Sequence, residues 1–287
     1  MALASLRPLI FFTIICSFSW PAVSDSTSDS NGLVGVFSVC MDNSTMSSSY
    51  ENNVLSLLSE LTSESANSRP PQLGFFNTTF GRVPNKAYGS YFCRGDLKTS
   101  VCHDCVSYVT QHLSDQSAKC IETFAIGASE VADRCMVHYA NRSTGYKKGK
   151  FLTSSTGEGK VSDYHLYNQT LTTTIEGLIT EAAQGNWTNP YFETRVAQVA
   201  QSNEKIYTLV QCTPDISAID CGRCLEESYS YLPECCNGNQ EGDVIHANCW
   251  IMYSNQSFFG SADRVFMPSF LHLCSTVLFS LFFVLMN

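Results

Sequence analysis

Catalytic signatures are absent from this chain of 287 residues. It has no His-Glu-x-x-His zinc motif, no Gly-x-Ser-x-Gly nucleophile motif and no glycine-rich phosphate-binding loop. Its six histidines show no paired spacing, and isolated histidines are more often packing or surface residues than bases or ligands. We therefore predict a protein that is not an enzyme and that needs no cofactor or metal.

Basic residues are also scarce. The chain has 17 Lys and Arg against 26 Asp and Glu, which gives a net charge of -9. Nucleic acids and anionic lipid surfaces are bound through basic patches. The charge balance therefore argues against both as main partners, and it leaves proteins and neutral glycans as candidate ligands.

Neither end of the chain has the features of a conventional membrane span. Residues 1–24 hold a single cation, Arg7, and an apolar run of about twelve residues, where about twenty are needed to cross a bilayer. Small residues follow up to Ser24, so we predict a cleaved secretory signal peptide over residues 1–24.

Residues 260–287 end in a second apolar run with no Lys or Arg after it, although a cytoplasmic basic flank usually holds a spanning helix in place. The small residues Gly260 and Ser261 precede a short polar spacer. This order is typical of a glycosylphosphatidylinositol signal, with Gly260 or Ser261 as the attachment residue. A single transmembrane helix is the alternative.

Asn-x-Ser/Thr sites support passage through the secretory pathway. We predict glycosylation, and hence surface positions, at six asparagines: Asn43, Asn77, Asn141, Asn168, Asn186 and Asn255. With the two ends, these sites predict a protein on the extracellular face of the plasma membrane.

The chain is internally repeated. Cys93, Cys102 and Cys105 recur with identical spacing as Cys212, Cys221 and Cys224. We assign residues 33–142 and 161–259 to two domains, and residues 143–160, rich in Gly, Ser, Thr and Lys, to a linker.

Outside the predicted signal peptide and the C-terminal segment 260–287, each repeat has six cysteines. This even number predicts disulfides in an oxidising compartment. The cysteines are Cys40, Cys93, Cys102, Cys105, Cys120 and Cys135, then Cys212, Cys221, Cys224, Cys235, Cys236 and Cys249. Six cysteines allow fifteen pairings, so the spacing leaves the connectivity open. A zinc site and a redox-active Cys-x-x-Cys are less favoured, because zinc needs four free ligands and no βαβ pattern frames the pairs.

Hydrophobic periodicity predicts an α+β fold in each repeat, with two helices on an antiparallel sheet. Tyr50, Val54, Leu57, Leu58 and Leu61 recur at helical spacing, so we expect each repeat to open with a helix. A second helix begins at each Cys-x-x-Cys. Residues 205–212 and 243–253 are rich in β-branched and aromatic residues and predict strands.

The cysteine core, followed by Cys135-Met-Val-His-Tyr139 and Cys249-Trp-Ile-Met-Tyr253, resembles the plant ginkbilobin-homologous domain. That domain occurs in cysteine-rich repeat secretory proteins, plasmodesmata-located proteins and receptor-like kinase ectodomains. The resemblance implies bridges Cys93–Cys102, Cys105–Cys135 and Cys40–Cys120, and in repeat two Cys212–Cys221 and Cys224–Cys249. Tyr167 is expected in place of a counterpart of Cys40. A vicinal bridge, a link to another chain and free thiols stay open for Cys235 and Cys236.

An antifungal member of this family binds mannose through an Asn, an Arg and a Glu near the first and last cysteines. The corresponding positions are Met41, Ser129 and Ala140 in repeat one, and Asn168, Asp243 and Ser254 in repeat two. Only Asn168 matches. Because a sugar site loses affinity heavily when its polar partners are missing, the resemblance implies an incomplete mannose site.

These observations predict a membrane-anchored extracellular protein, plasmodesmal by resemblance, that recognises a protein or cell-wall component in defence or cell-to-cell communication. Two similar domains can pack into one unit with a composite binding surface, and can associate with further copies or other proteins. The alternatives are an antifungal mannose-binding lectin and an extracellular thiol redox sensor.

Overall fold

A computed structural model describes residues 33–42, 44–67, 74–115, 120–129, 133–143, 150–184 and 191–259. The predicted signal peptide, Asn43, Asn186, Gly260, Ser261 and the apolar C-terminal run lie outside these ranges. Within them, no helix has the length and apolar character needed to cross a membrane.

In the described residues, each repeat contains five strands and two helices. Repeat one comprises β1 (Leu33–Cys40), α1 (Ser48–Ala66), β2 (Phe75–Phe80), β3 (Ala87–Cys93), α2 (Thr99–Asp115), β4 (Thr123–Ser129) and β5 (Asp133–Ala140). Repeat two comprises β6 (Phe151–Thr156), α3 (Tyr164–Gln184), β7 (Phe192–Gln198), β8 (Lys205–Cys212), α4 (Ala218–Cys235), β9 (Glu241–His246) and β10 (Cys249–Ser254). The predicted α+β class is therefore confirmed.

Both sheets are antiparallel and share one topology. Their strand orders are β1-β4-β5-β3-β2 and β6-β9-β10-β8-β7. The predicted strand over residues 243–253 is in fact a hairpin, since Ala247 and Asn248 separate β9 from β10.

Each repeat opens with a strand, and the prediction that it opens with a helix is wrong. The predicted linker 143–160 is likewise wrong over Phe151–Thr156, which form β6. Strand β6 pairs with β9 as β1 pairs with β4. Its Ser and Thr residues concealed it in the sequence, because a half-exposed edge strand needs few apolar side chains.

The helices cover one face of each sheet. In α1, Ser47 caps the N-terminus by accepting a hydrogen bond from the Tyr50 backbone N at 3.2 Å. The predicted apolar stripe of α1 is buried, and α3 buries Tyr167, Leu171, Ile175, Leu178 and Ile179 in the same way. Each helix pair thus closes a core with its own sheet.

The opposite faces of the two sheets pack against each other. Trp250 of β10 is fully buried there, and its ring lies 5.0 Å from that of Phe92 of β3, in an edge-to-face arrangement. This third core draws apolar side chains from both repeats: Phe75, Phe92, Phe124, Ile126 and Met136, with Leu152, Phe192, Leu209, Ile245, Ala247, Trp250, Met252 and Phe258. The molecule therefore has four layers, in the order helix, sheet, sheet, helix.

Polar contacts fix the register of the two repeats. Gln211 accepts a hydrogen bond from the Gly95 backbone N at 3.0 Å and donates to the Cys93 carbonyl at 3.2 Å. Arg94, which is buried, pairs with Asp96 at 2.7 Å and donates to the Phe258 carbonyl at 2.8 Å. Because these buried groups satisfy one another, separating the repeats would leave polar atoms without partners.

Candidate ligand cleft between the two sheets

A cleft of about 420 Å³ separates the sheets on the side of β1 and β6. On the opposite side, β3 and β8 are held together by the Gln211 bonds. Strands from both repeats line the cleft: Phe37, Ile126, Ala128 and Ser129 from repeat one, and Thr153, Ser155, Thr156, Gly157, Glu241, Gly242, Asp243, Met252, Tyr253, Ser254 and Phe258 from repeat two. Neither repeat alone forms it.

The repeat-two wall of the cleft is acidic. Asp243 accepts hydrogen bonds from the Ser155 backbone N, at 3.1 Å, and from the Ser155 hydroxyl. Burial raises the pKa of Asp243 to about 6, against the opposing effect of these bonds, and the nearby Glu241 carboxylate raises it further. Among the described residues that line the cleft, none is Lys or Arg. Within this part of the structure, the bonds from Ser155 are therefore the contacts that oppose the cost of burying the Asp243 charge.

Gly157 leaves room for the second carboxylate. A Cβ atom at Gly157 would lie 1.9 Å from Glu241 Oε1, so a side chain there would displace the carboxylate. The Ser254 hydroxyl donates to the other Glu241 oxygen at 3.4 Å. Two carboxylates are thus held near each other, at one end of a partly apolar cleft.

The apolar part of the cleft includes Phe37, Ile126, Met252 and Phe258. Phe37 on the edge strand β1 is 48% exposed, which is unusual for a large aromatic side chain. The acidic wall beside an exposed aromatic ring suits a ligand that has a cationic group next to an apolar group.

The predicted cysteines are all disulfide-bonded in the structure. Repeat one has Cys40–Cys120, Cys93–Cys102 and Cys105–Cys135, and repeat two has Cys212–Cys221, Cys224–Cys249 and Cys235–Cys236. The first five are the pairs that the resemblance implies. Of the three alternatives for Cys235 and Cys236, the structure has the vicinal bridge.

The counterpart of Cys40 is Thr156, and the expectation of Tyr167 is wrong. Cys40 pairs with Thr123, and Thr156 pairs with Gly242 at the matching register position. Cys120 and Asn239 match in the same way, and Asn239 donates a hydrogen bond to the Thr156 hydroxyl. A hydrogen bond in repeat two therefore occupies the place of the third disulfide of repeat one.

Tyr167 instead corresponds to Tyr50. The Tyr50 hydroxyl donates to the Ile121 carbonyl, and the Tyr167 hydroxyl donates to the Gln240 carbonyl, both at 2.9 Å. Burial raises the pKa of both phenols. In each repeat, this tyrosine therefore links the first helix to the loop before the fourth strand through a hydrogen bond.

The vicinal bridge lies close to β9 because position 242 is a glycine. A Cβ atom at Gly242 would lie 2.8 Å from the Cβ and Sγ atoms of Cys236. We expect Gly242→Ala to lower the free energy of unfolding by about 1–3 kcal/mol through overpacking. Urea denaturation measures this loss.

Gly35→Ala is the matched control, because a Cβ atom at Gly35 meets no heavy atom within 4 Å. We expect it to change the free energy of unfolding by less than about 0.5 kcal/mol. Equal losses in the two variants would contradict the packing at Gly242.

The positions of the mannose site come together only in part. Ser129, Asp243 and Ser254 line the cleft. Met41, Ala140 and Asn168 are not among the residues that line it. Met41 and Ala140 lie beyond the end of β4 that begins at Thr123, whereas Ser129 lies at its other end, opposite Leu33. In repeat two, Gly157 rather than Asn168 is the counterpart of Met41, since Gly157 follows Thr156 as Met41 follows Cys40. Asp243 occupies the register position of Phe124.

Ser228 and His246 form a contact that resembles part of a catalytic site. The Ser228 hydroxyl lies 2.7 Å from His246 Nδ1, but both side chains are buried and none of the described cavities reaches them. Burial lowers the pKa of His246. In the described part of the chain, no group of three or more His, Cys, Asp or Glu side chains could hold a metal ion.

Four of the predicted glycosylation sites are described. Asn77 lies on the edge strand β2 and Asn141 follows β5. Asn168 is exposed on α3, and Asn255 directly follows Ser254 at the margin of the cleft. Of the cleft residues, Ser129, Asp243 and Ser254 are predicted from the sequence only as positions of the mannose site. The acidic pair of Glu241 and Asp243 is not predicted, since no motif marks two acids in an ordinary strand.

Comparison with known proteins identifies both repeats. Residues 39–142 and residues 153–256 each match the family described as salt stress response/antifungal. The chain is 31% identical to cysteine-rich repeat secretory protein 1 of Arabidopsis thaliana over 74% of this chain and 59% of that protein. It is 26% identical to an antimicrobial ginkbilobin-2-like protein of Castanea crenata over 77% of this chain and 87% of that protein.

Other relatives are much longer. The chain spans 32% of cysteine-rich receptor-like protein kinase 25 and 33% of kinase 34, both of Arabidopsis thaliana, at 32% and 27% identity over 78% and 77% of this chain. Among solved structures, the tandem DUF26 ectodomain of the Arabidopsis thaliana cysteine-rich receptor-like protein PDLP8 matches with a TM-score of 0.62 and 19% identity. That match covers 77% of this chain and 98% of the other, and it shows a common fold.

Proposed function

This chain belongs to the salt stress response/antifungal family, and from that membership and the geometry of the cleft we propose that it is an extracellular, non-enzymatic recognition protein. Its ligand binds between the two sheets. The observation that carries the proposal is that β1 and β4 of one repeat and β6, β9 and β10 of the other form a single cleft. Pockets between packed domains are preferred places for ligand binding.

The cleft favours a protein segment over a neutral sugar. Asp243 and Glu241 supply negative charge, with no Lys or Arg among the described lining residues, and Phe37 and Phe258 supply apolar surface. A Lys or Arg side chain next to an apolar residue complements both features. The lectin alternative lacks such support, because Met41, Ala140 and Asn168 do not line the cleft that contains the other three mannose-site positions.

Anchoring and placement at plasmodesmata form a second part of the proposal. Support for the anchor comes from the sequence between Gly260 and Met286, and support for the placement comes from the resemblance of the cysteine motifs to those of plasmodesmata-located proteins. Release from membranes by a phosphatidylinositol-specific phospholipase would support the lipid anchor, whereas retention after that treatment would support a transmembrane helix.

Neutralising the acidic wall tests the proposed ligand. A displayed library of extended peptides is selected on the protein at pH 7.5, and we expect the bound peptides to contain Lys or Arg beside an apolar residue. Asp243→Asn and Glu241→Gln are each expected to weaken the binding of a selected peptide by about 10–100-fold, because the cation loses a poorly solvated partner. Isothermal titration calorimetry measures the affinity.

Glu193→Gln is the matched control. It removes the same charge from β7, and Glu193 does not line the cleft. Its effect on affinity is expected to be less than about twofold, as for a distant screened charge. Selection of neutral or acidic peptides, or an equal loss in Glu193→Gln, would overturn the cationic ligand.

Asp243 also predicts a pH dependence of stability. Its folded-state pKa of about 6 lies above the ordinary value of 3.8, so the folded protein binds this proton more tightly than the unfolded chain. Stability from this group is therefore present below about pH 4 and is lost as the pH rises to about 6. Allowing for screening by water in the cleft, we expect a loss of about 1–2 kcal/mol.

Asp243→Asn isolates this contribution. As the pH rises from 4 to 7, the free energy of unfolding of the wild type should fall relative to that of Asp243→Asn. Parallel stability curves for the two proteins over that range would contradict a raised pKa at Asp243.

A further inference from the structure

A second pocket of about 120 Å³ lies between the beginning of α3 and the end of α4. Its walls include Tyr164, Tyr167, Tyr229, Leu232 and Cys236. Tyr167 is fixed by its bond to the Gln240 carbonyl, and Tyr229 donates to the Thr172 hydroxyl at 3.1 Å. The pocket is therefore preformed, with aromatic side chains on both of its helices.

Asn168 lies on the rim of this pocket. Its side chain is exposed, and it begins the sequence Asn168-Gln169-Thr170, an acceptor site for N-linked glycans. Any sugar attached there starts at the mouth of the pocket. The glycan and the pocket thus belong to one local structure.

We propose that Asn168 carries an N-linked glycan whose first N-acetylglucosamine ring lies in this pocket, against Tyr164 and Tyr229, and joins α3 to α4. The glycan comes from a lipid-linked oligosaccharide diphosphate. The Asn168 Nδ2 atom loses a proton and bonds to C1 of the sugar, while the bond from C1 to the diphosphate oxygen breaks. The lipid diphosphate leaves with the bonding electron pair, and the proton passes to solvent.

The size of the pocket supports a tethered occupant. Sites for independent small ligands usually measure about 300–1,000 Å³, so this pocket is small for a ligand that binds from solution. A covalently attached sugar has already lost most of its translational freedom, and a few contacts then suffice to hold it. Covalent attachment at the rim therefore explains how so small a pocket is filled.

Exposed aromatic surface supports the same occupant. Tyr164 is 50% exposed at the start of α3, although it is a large aromatic side chain. The ring of a tyrosine offers an apolar face beside a polar hydroxyl, which suits a sugar ring with apolar C–H groups and polar substituents. A glycan on Asn168 would cover this face and bring the two helix ends together.

Trimming the glycan tests the proposal. The full chain is secreted from cells that make only high-mannose glycans, in a variant with Gln at Asn43, Asn77, Asn141, Asn186 and Asn255. One sample keeps the whole glycan, a second is trimmed by an endoglycosidase to one N-acetylglucosamine, and a third loses the entire glycan to an amidase. We expect the first two to share one Tm and the third to melt about 2–4 °C lower.

Matched variants of the otherwise unchanged chain give a second test. They avoid the five other substitutions, and they avoid the aspartate that the amidase leaves in place of the glycosylated asparagine. Thr170→Ser keeps the acceptor site and should melt like wild type, whereas Thr170→Ala keeps Asn168 but loses the glycan and should melt about 2–4 °C lower. In Tyr164→Ala, loss of the glycan should no longer change the Tm. An unmodified Asn168 in the secreted protein, equal Tm values for all glycan states, or an undiminished glycan effect in Tyr164→Ala would overturn the proposal.

Discussion

Trp250→Ala is expected to lower the free energy of unfolding by about 3–5 kcal/mol, the usual cost of deleting a large buried aromatic side chain. Trp250 is fully buried between the sheets and lies edge-to-face on Phe92 of the other repeat. The cavity would open at the centre of the contact that joins the repeats. We therefore also expect the single unfolding transition to separate into two.

Trp250→Phe is the control for this prediction. Within the described residues, the indole Nε1 of Trp250 has no hydrogen-bond partner, so phenylalanine removes no hydrogen bond there and keeps an aromatic ring against Phe92. We expect it to cost less than half as much as Trp250→Ala, with one transition preserved. Chemical denaturation followed by circular dichroism measures both variants, and equal costs would contradict the role of the aromatic contact.

Restoring the third bridge in repeat two has the second large expected effect. Thr156→Cys combined with Asn239→Cys should form a disulfide, because these residues occupy the register positions of Cys40 and Cys120. The Cα atoms of Cys40 and Cys120 are 5.7 Å apart, which is a common spacing for a bridge. A cross-link over so long a loop typically adds about 2–4 kcal/mol to stability by restricting the unfolded chain.

The reverse exchange is the control for the engineered bridge. Cys40→Thr combined with Cys120→Asn should lower stability by a similar amount, and reduction should remove the gain of the engineered variant. Mass spectrometry of unreduced peptides reports whether the new bridge forms. Two free thiols at positions 156 and 239 in the folded protein would contradict the equivalence of the two repeats at this place.

The sequence alone predicts much of each repeat because the relevant patterns are local. The apolar stripe of α1 and the β-branched run of β8 are buried as their spacing indicates. The strand β6 is not predicted from the sequence, because Thr153, Ser154 and Ser155 are polar. The prediction of the Cys40 counterpart is wrong for the same reason, since the register of β6 determines which residue pairs with Gly242.

The cleft could not be predicted from the sequence, because it depends on how two sheets pack. Phe92 and Trp250 are hydrophobic strand residues in the sequence, and nothing in their spacing shows that they meet across the repeats. Asp243 is one acid in an ordinary strand, and its raised pKa arises only from burial in the folded molecule. The sequence could indicate a composite surface, and the structure shows the residues that form it.

Differential scanning calorimetry of the secreted protein with its disulfides intact tests the central claim, that the two repeats form one body around a shared cleft. The structure predicts a single transition in which the calorimetric and van't Hoff enthalpies agree, because the sheet contact couples the two cores. Two resolved transitions in the wild-type protein, one for each repeat, would contradict the shared core and the composite cleft.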